Sequence, residues 1–256
     1  MEPQPVDRRV LGREVVLVLA LSLGASGVSA LISFAGSVTE SRPLARQTAR
    51  LIIDQAPGRP WLGLAWQVFS IVTALVPVAL VAHLLSRGGE SLRGTLGFSL
   101  DQKARDLGRG ALVAAAIGGS GLCLYLAARA AGFNLTVVPS ALSNVWWRIP
   151  VLVASAVQNA VVEETIVLGY LVHRLTALGW STRRTVAASS LLRGSYHLYQ
   201  GIGGFAGNVV MGVIFCLLYR RWGRVMPLVV AHALIDTVAF VGSVILAGHV
   251  SWLPKQ

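Results

Sequence analysis

The chain has 256 residues, of which 54% are hydrophobic and only 13% are charged; its mean hydropathy is +0.66. This composition excludes an ordinary soluble domain and indicates a membrane protein, because apolar runs long enough to cross a hydrocarbon core of about 30 Å recur along the chain. The net charge of +11 is attributed to membrane topology, so the lipid bilayer is an expected partner and nucleic acid is not.

Seven apolar segments are predicted to span the membrane, and uncertain boundaries leave six or eight spans open. All should be helical, because lipid offers no hydrogen-bond partner to the backbone. The predicted fold class is therefore all-α, a polytopic transmembrane helical bundle. The fifth and sixth segments are short and are expected to form a tight hairpin or a partly re-entrant pair. In chain order the segments are 15–35, 61–85, 108–131, 149–172, 185–199, 204–219 and 225–247.

The distribution of basic residues predicts a cytoplasmic N-terminus and an exported C-terminus. In this orientation the basic groups within 8–13, 87–109, 174–184 and 220–224 lie on the cytoplasmic side. Four arginines between residues 42 and 59 lie on the opposite side, where few basic residues are expected. We predict an interfacial amphipathic segment there, which would hold these arginines at the membrane surface.

Ionisable residues inside the predicted spans carry most of the functional information. Each costs on the order of 3 kcal/mol or more at membrane depth, so such residues are normally paired or functional. Apart from His83, the strongly polar residues singled out within the spans fall in the last 110 residues of the chain. They are Glu163 and Glu164 in the fourth span, Arg193 and His197 in the fifth, and His232 and Asp236 in the seventh.

The spacing of these residues predicts that they meet in one place. Arg193 and His197 are four residues apart, as are His232 and Asp236, so each pair projects from one face of its helix. The adjacent glutamates point about 100° apart, so only one of them can face the common site. A rise of about 1.5 Å per residue places the cluster roughly 10–18 Å from the cytoplasmic ends of the helices.

The cluster of ionisable residues has two possible roles, one structural and one catalytic. A buried ion-pair network could hold the helices together, but two neighbouring carboxylates and two histidines satisfy one another poorly in that role. The same groups suit hydrolysis, in which a glutamate takes a proton from water and histidines bind a metal or stabilise an oxyanion.

The order of these motifs is similar to that of a known family. Glu163 and Glu164, then the stretch SSLLRGSYH ending at His197, then HALID from His232 to Asp236 resemble the CPBP intramembrane proteases, which include the CAAX prenyl endopeptidases. In that family the motifs read EExxxR, FxxxH and HxxxN or HxxxD. The resemblance covers about residues 147–248, which we treat as a catalytic core after N-terminal helices in 1–146 and before a tail at 249–256.

Two positions depart from the family pattern. The arginine of the first motif is replaced by Leu168, and the phenylalanine of the second is replaced by Arg193. A cation beside paired glutamates keeps one of them ionised and oriented in a low-dielectric site. We therefore predict that Arg193 supplies this cation from the fifth segment, with Glu164 as its partner.

The resemblance also implies catalytic roles. Glu163 would activate water with the help of His197, while His232 and the residue at Asp236 would stabilise the oxyanion. An ionised aspartate accepts but does not donate, so Asp236 must be protonated, orient His232 or bind a metal. The sequence is compatible with zinc held by Glu163, His197 and His232 and equally with a glutamate mechanism without metal.

The function predicted from the sequence is an intramembrane endopeptidase that acts on a membrane-associated peptide or a membrane protein. The resemblance to prokaryotic members of the family implies an integral protein of a prokaryotic plasma membrane. The sequence identifies neither the cleavage site nor the oligomeric state. A catalytically silent scaffold of the same fold is the alternative, and a proton-coupled transporter is disfavoured because no inverted repeat is found.

Overall fold

A computed structural model describes residues 7–250 as a bundle of α-helices. Five helical segments in this part of the chain are long and apolar enough to cross a membrane, and a bent pair at the start raises the number to six. The predicted all-α polytopic bundle is therefore confirmed. The five segments are Pro60–Arg87, Lys103–Ala130, Arg148–Ala177, Ile202–Trp222 and Met226–Leu246.

The first half of the bundle contains two broken helices. The first two helices meet at a bend of 49°, where one continuous span was predicted. The next two are separated at Leu75, because Pro77 lacks a backbone N–H and its ring crowds the preceding turn. The helices of this half are α1 (Arg8–Ala20), α2 (Leu23–Thr39), α3 (Pro60–Ala74), α4 (Val76–Arg87), α5 (Leu92–Leu96) and α6 (Lys103–Ala130).

The second half holds all the predicted site residues. One long helical segment is interrupted by a π-helix at Glu164–Leu171. A polar helix, Thr182–Ser195, follows this segment. Short 3₁₀ turns occur at Leu44–Arg46 and Leu198–Gln200. The α-helices of this half are α7 (Arg148–Glu163), α8 (Val172–Ala177), α9 (Thr182–Ser195), α10 (Ile202–Trp222) and α11 (Met226–Leu246).

The predicted fifth span, 185–199, is where the expected count of seven is too high. Helix α9 has 14 residues, and at about 1.5 Å per residue it is roughly 21 Å long, too short to cross the hydrocarbon core. One face of it is buried in the bundle, including Thr185, Ser189, Ser190 and Arg193. Ser189 donates to the backbone oxygen of Val167 and Arg193 pairs with Glu164, so protein neighbours meet part of this polarity.

Small residues allow α9 to pack very closely against α10. A Cβ added at Gly194 would lie 2.5 Å from Val209 Cγ2, and one added at Gly212 would lie 2.9 Å from Ser190 Cα. Both separations are shorter than real carbon atoms tolerate, so glycine is required at each position. Close packing of this kind supplies the van der Waals contact that holds helices together in lipid.

A two-stranded parallel sheet was not predicted. Strand β1 (Thr48–Ile53) pairs with β2 (Thr136–Ala141) in a register that begins with Thr48 opposite Thr136. The region between residues 42 and 59, for which an interfacial amphipathic segment was predicted, holds a 3₁₀ turn and β1, and its place at the membrane surface stays a prediction. Two six-residue strands whose pairing joins distant loops give no local pattern that would reveal them.

The π-helix lies in the centre of the bundle. Every residue from Glu164 to Leu171 is buried, and the main apolar core around it takes residues from both halves of the chain, among them Leu85, Leu96 and Phe215. A π-helix shifts the side chains that follow it and is frequent at functional sites. The boundary predicted at residue 146, between the N-terminal helices and the catalytic core, stays a prediction, since both parts contribute to this apolar core.

A polar clasp fixes the turn before α11. Arg224 donates to Asp106 Oδ2 at 2.6 Å and to the backbone oxygen of Ser99 at 3.0 Å. The backbone N–H of Val225 donates to Leu96 O at 2.9 Å. These contacts anchor the first turn of α11 to the segment between α5 and α6, and they thereby set the position of His232 two turns later.

Helix α11 also approaches α6 closely at Gly110, which generates a stability prediction. A Cβ at Gly110 would lie 2.5 Å from Val230 Cγ1 and 2.8 Å from Pro227 O, whereas one at Gly108 meets nothing within 4 Å. We expect Gly110→Ala to lower the thermal midpoint of the full-length chain in detergent by about 2–10 °C, because overpacking costs about 1–3 kcal/mol.

The matched control is Gly108→Ala, on the same helix and with the same gain in helix propensity. It should leave the midpoint unchanged or raise it. Intrinsic fluorescence during heating measures both variants, and equal midpoints for the two would contradict the close approach of α6 and α11.

Candidate active site

The two adjacent glutamates face different surroundings, as their spacing predicts. Glu163 ends α7 and Glu164 begins the π-helix. The Glu164 side chain is fully buried, while that of Glu163 is 12% exposed and lines a cavity of about 1160 Å³. Of the two, Glu163 is therefore the carboxylate that water and a substrate can reach.

Arg193 contacts both glutamates. Its Nη2 donates to Glu164 Oε1 at 2.5 Å, its Nη1 lies 3.5 Å from Glu163 Oε2, and its side chain is fully buried. The guanidinium carbon lies 5.3 Å from the centre of the Phe215 ring, which adds a cation–π contact. The predicted pairing of Arg193 with Glu164 is confirmed.

His232 joins the same carboxylate from α11. Its Nδ1 lies 2.7 Å from Glu164 Oε1, and its Nε2 lies 3.6 Å from Asp236 Oδ2. The Asn159 amide nitrogen donates to the same Asp236 oxygen at 3.3 Å. Asp236 is therefore in a position to orient both His232 and Asn159.

His197 does not lie on a helix, contrary to the prediction for the fifth segment. Helix α9 ends at Ser195, and His197 follows in a turn. Its Nδ1 lies 3.0 Å from the backbone oxygen of Arg193. A carbonyl oxygen only accepts hydrogen bonds, so Nδ1 carries the proton and Nε2 of the neutral ring is the acceptor.

Tyr196 and Asn159 are the neighbours that the sequence reasoning missed. The Tyr196 hydroxyl donates to Glu163 Oε2 at 2.8 Å. Asn159 precedes Glu163 by four residues, a spacing that places two side chains on one helical face. That spacing was a usable signal for Asn159, whereas a tyrosine beside a histidine gives no comparable indication.

One cavity of about 1160 Å³ connects the site to the sheet. Its walls include most of the predicted site residues, while Glu164 and Arg193 lie behind Glu163 and His232. Ser155, Gln158 and Asn159 continue the polar face of α7 away from Glu163. The cavity is lined at the site by Glu163, His197, His232 and Asp236 and at its other end by Ile52 and Val137.

The residues that could bind a metal differ from the predicted set. Carboxylate and imidazole atoms of Glu163, Glu164 and His232 lie within 4.8 Å of one another. His197, which was predicted as a ligand, is not part of this group in the described chain. Two carboxylates and a histidine are suitable zinc donors, and the buried Glu164 Oε2 has no hydrogen-bond partner in the described residues, so the donor set fits a metal.

Comparison with known families covers the part of the chain that carries the site. Residues 144–238 match the family described as Rce1-like, type II CAAX prenyl endopeptidase. No curated protein and no solved structure matches the chain. The matched segment contains all six predicted site residues, and it confirms the family resemblance that their order indicated.

Proposed function

We propose that Glu163 activates water for hydrolysis of a peptide bond in the cavity, a role supported by the match of residues 144–238 to the Rce1-like type II CAAX prenyl endopeptidases. The substrate is a membrane-associated peptide or a membrane protein. The observation that supports this role is the contrast between the two glutamates. Glu164 is held by Arg193 and His232, whereas Glu163 faces the cavity.

Glu163 is suited to act as the general base. Tyr196 and Arg193 both approach its Oε2, and these donors orient the carboxylate. Its Oε1 is then the oxygen that takes a proton from water. Water lying between Glu163 and His197 Nε2 attacks the substrate carbonyl, the C–N bond breaks, and the proton passes to the leaving amine.

His232 contributes positive charge close to the reacting carbonyl. Both ring nitrogens face carboxylate oxygens, those of Glu164 and Asp236, and the imidazolium form is the one that donates to both. A fixed positive charge in a water-poor site stabilises the oxyanion that develops during attack. Asp236 orients this ring, the second of the three roles left open from the sequence.

A metal ion would be held by Glu163, Glu164 and His232. When bound, zinc would supply Lewis-acid polarisation of the substrate carbonyl. His232 would have to be neutral to bind the ion, and the positive charge near the substrate carbonyl would then come from the metal.

The first test replaces the base. We expect Glu163→Gln to reduce cleavage by about 10²–10⁴-fold, because glutamine cannot take a proton from water. The full-length chain in proteoliposomes is assayed with an internally quenched, farnesylated peptide that ends in a CAAX sequence. Glu40→Gln, at an exposed position on the loop after α2, is the control and should keep full activity.

A second experiment tests for substrates that do not end in a CAAX sequence. Membrane proteins of cells that carry wild-type or Glu163→Gln chains are compared by quantitative proteomics, and an uncleaved substrate should accumulate only with the variant. No cleavage by either chain, together with equal membrane proteomes, would support the catalytically silent scaffold, whereas equal cleavage by both chains would refute the role of Glu163 as the base.

The metal is tested through the content of purified variants. We expect His197→Ala and His232→Ala each to abolish cleavage. If zinc is used, His232→Ala and Glu164→Gln should lose it, whereas His197→Ala should retain it, because His197 lies outside the group of converging ligands. Mass spectrometry of the metal content measures this. Full activity of metal-free enzyme in the presence of chelators would assign the reaction to the side chains alone.

Arg193, which stands where the family pattern has a phenylalanine, is the subject of the next test. Arg193→Phe leaves Glu164 buried beside His232 without its guanidinium, a change typically worth about 3–5 kcal/mol. We expect this variant to lose activity and to recover part of it when Leu168→Arg is added, since residue 168 follows Glu164 by four positions. Full activity of the single variant, or a double variant no better than the single, would refute the compensation.

A further inference from the structure

The cavity needs a hydrogen-bond donor for the substrate carbonyl, and the obvious candidates are already engaged. Both nitrogens of His232 face carboxylates, and His197 Nδ1 faces the Arg193 carbonyl. The Tyr196 hydroxyl donates to Glu163. Asp236 Oδ2 is approached by two N–H donors, so this oxygen accepts and would repel an oxyanion.

Asn159 has an amide hydrogen left over at the right place. Its nitrogen carries two hydrogens, and one of them is directed at Asp236 Oδ2. The residue lines the cavity together with Glu163, one helical turn away on the same face of α7. The second hydrogen is therefore available to a group inside the cavity, next to the base.

We infer that Asn159 is a catalytic residue that donates its second amide hydrogen to the substrate carbonyl oxygen and stabilises the oxyanion. The carboxylate of Asp236 fixes the amide plane, and it acts as a positioning residue for Asn159 as well as for His232. This inference rests on the proposed function. It extends that function by assigning to α7 a donor that the motif on α11 lacks.

The chemistry balances without any further reactant. Water adds to the carbonyl carbon and gives its proton to Glu163, while the carbonyl π electrons move to the oxygen that Asn159 faces. When the C–N bond breaks, that oxygen regains its double bond and Glu163 returns the proton to the leaving amine. Asn159 keeps both hydrogens throughout, so its contribution is a hydrogen bond that strengthens as charge develops.

The test exchanges the amide of Asn159 and the carboxylate of Asp236. We expect Asn159→Asp to lower kcat by about 10²–10³-fold on the farnesylated CAAX peptide with little change in KM, as for other lost oxyanion donors. Asp236→Asn should be affected less, because Asn159 keeps its donor. The double variant Asn159→Asp/Asp236→Asn restores one amide and one carboxylate, and it should exceed the Asn159→Asp variant at least tenfold.

Two further variants separate a lost donor from added charge or misfolding. Gln158→Glu places the same new charge on the adjacent cavity residue, and its loss of kcat should be at least tenfold smaller than that of Asn159→Asp. Asn159→Ala removes the donor without a charge, and it should show the same loss of kcat while its thermal midpoint stays close to that of the wild type.

The outcomes also distinguish this inference from the proposed function. Loss of cleavage in Glu163→Gln together with a kcat near wild type in Asn159→Ala would overturn the inference and leave the function standing. An Asp236→Asn variant as impaired as Asn159→Asp would show that Asn159 only orients Asp236. A wild-type chain that hydrolyses no membrane peptide would overturn both.

Discussion

The arrangement of the bundle around its centre depends on one carboxylate oxygen, Glu164 Oε1. This oxygen, on the π-helix, accepts a hydrogen bond from Arg193 on α9 and contacts His232 on α11. Three separate helical segments therefore meet at a single atom. A charge in the hydrocarbon region is tolerated only when it is paired. Removal of either partner would leave charge buried at a cost of several kcal/mol, and this cost specifies how the three segments pack.

This constraint also separates the roles of two identical neighbours. Glu164 is saturated on one oxygen and has no access to the cavity, whereas Glu163 has one oxygen oriented by Tyr196 and Arg193. The different environments of two carboxylates commonly divide their functions within one site. The π-helix begins at Glu164, the second of these two residues, and it changes the direction in which the side chains that follow it project.

The sequence predicted those features that follow from polarity in an apolar chain. Glutamates, an arginine and histidines inside hydrophobic segments had to meet, and Arg193 was assigned to Glu164 for this reason. The position of His197 could not be predicted, because the end of α9 at Ser195 depends on tertiary contacts. The sheet was missed for a related reason, since β1 and β2 pair between loops that lie 88 positions apart in register. The converging group of possible metal ligands contains Glu164 in place of the predicted His197, because His197 lies in the turn after α9.

Two polar groups lie on other helices than the family pattern would place them. The pattern has a cation at the position of Leu168, and here Arg193 on α9 places a cation beside the same two glutamates. The pattern allows an asparagine at the position of Asp236, and here the Asn159 amide on α7 donates to Asp236. A buried site constrains the charge and the donors that reach each atom, but it does not constrain which helix they come from. A position-by-position comparison of motifs would therefore miss a cation and an amide that the geometry places beside these carboxylates.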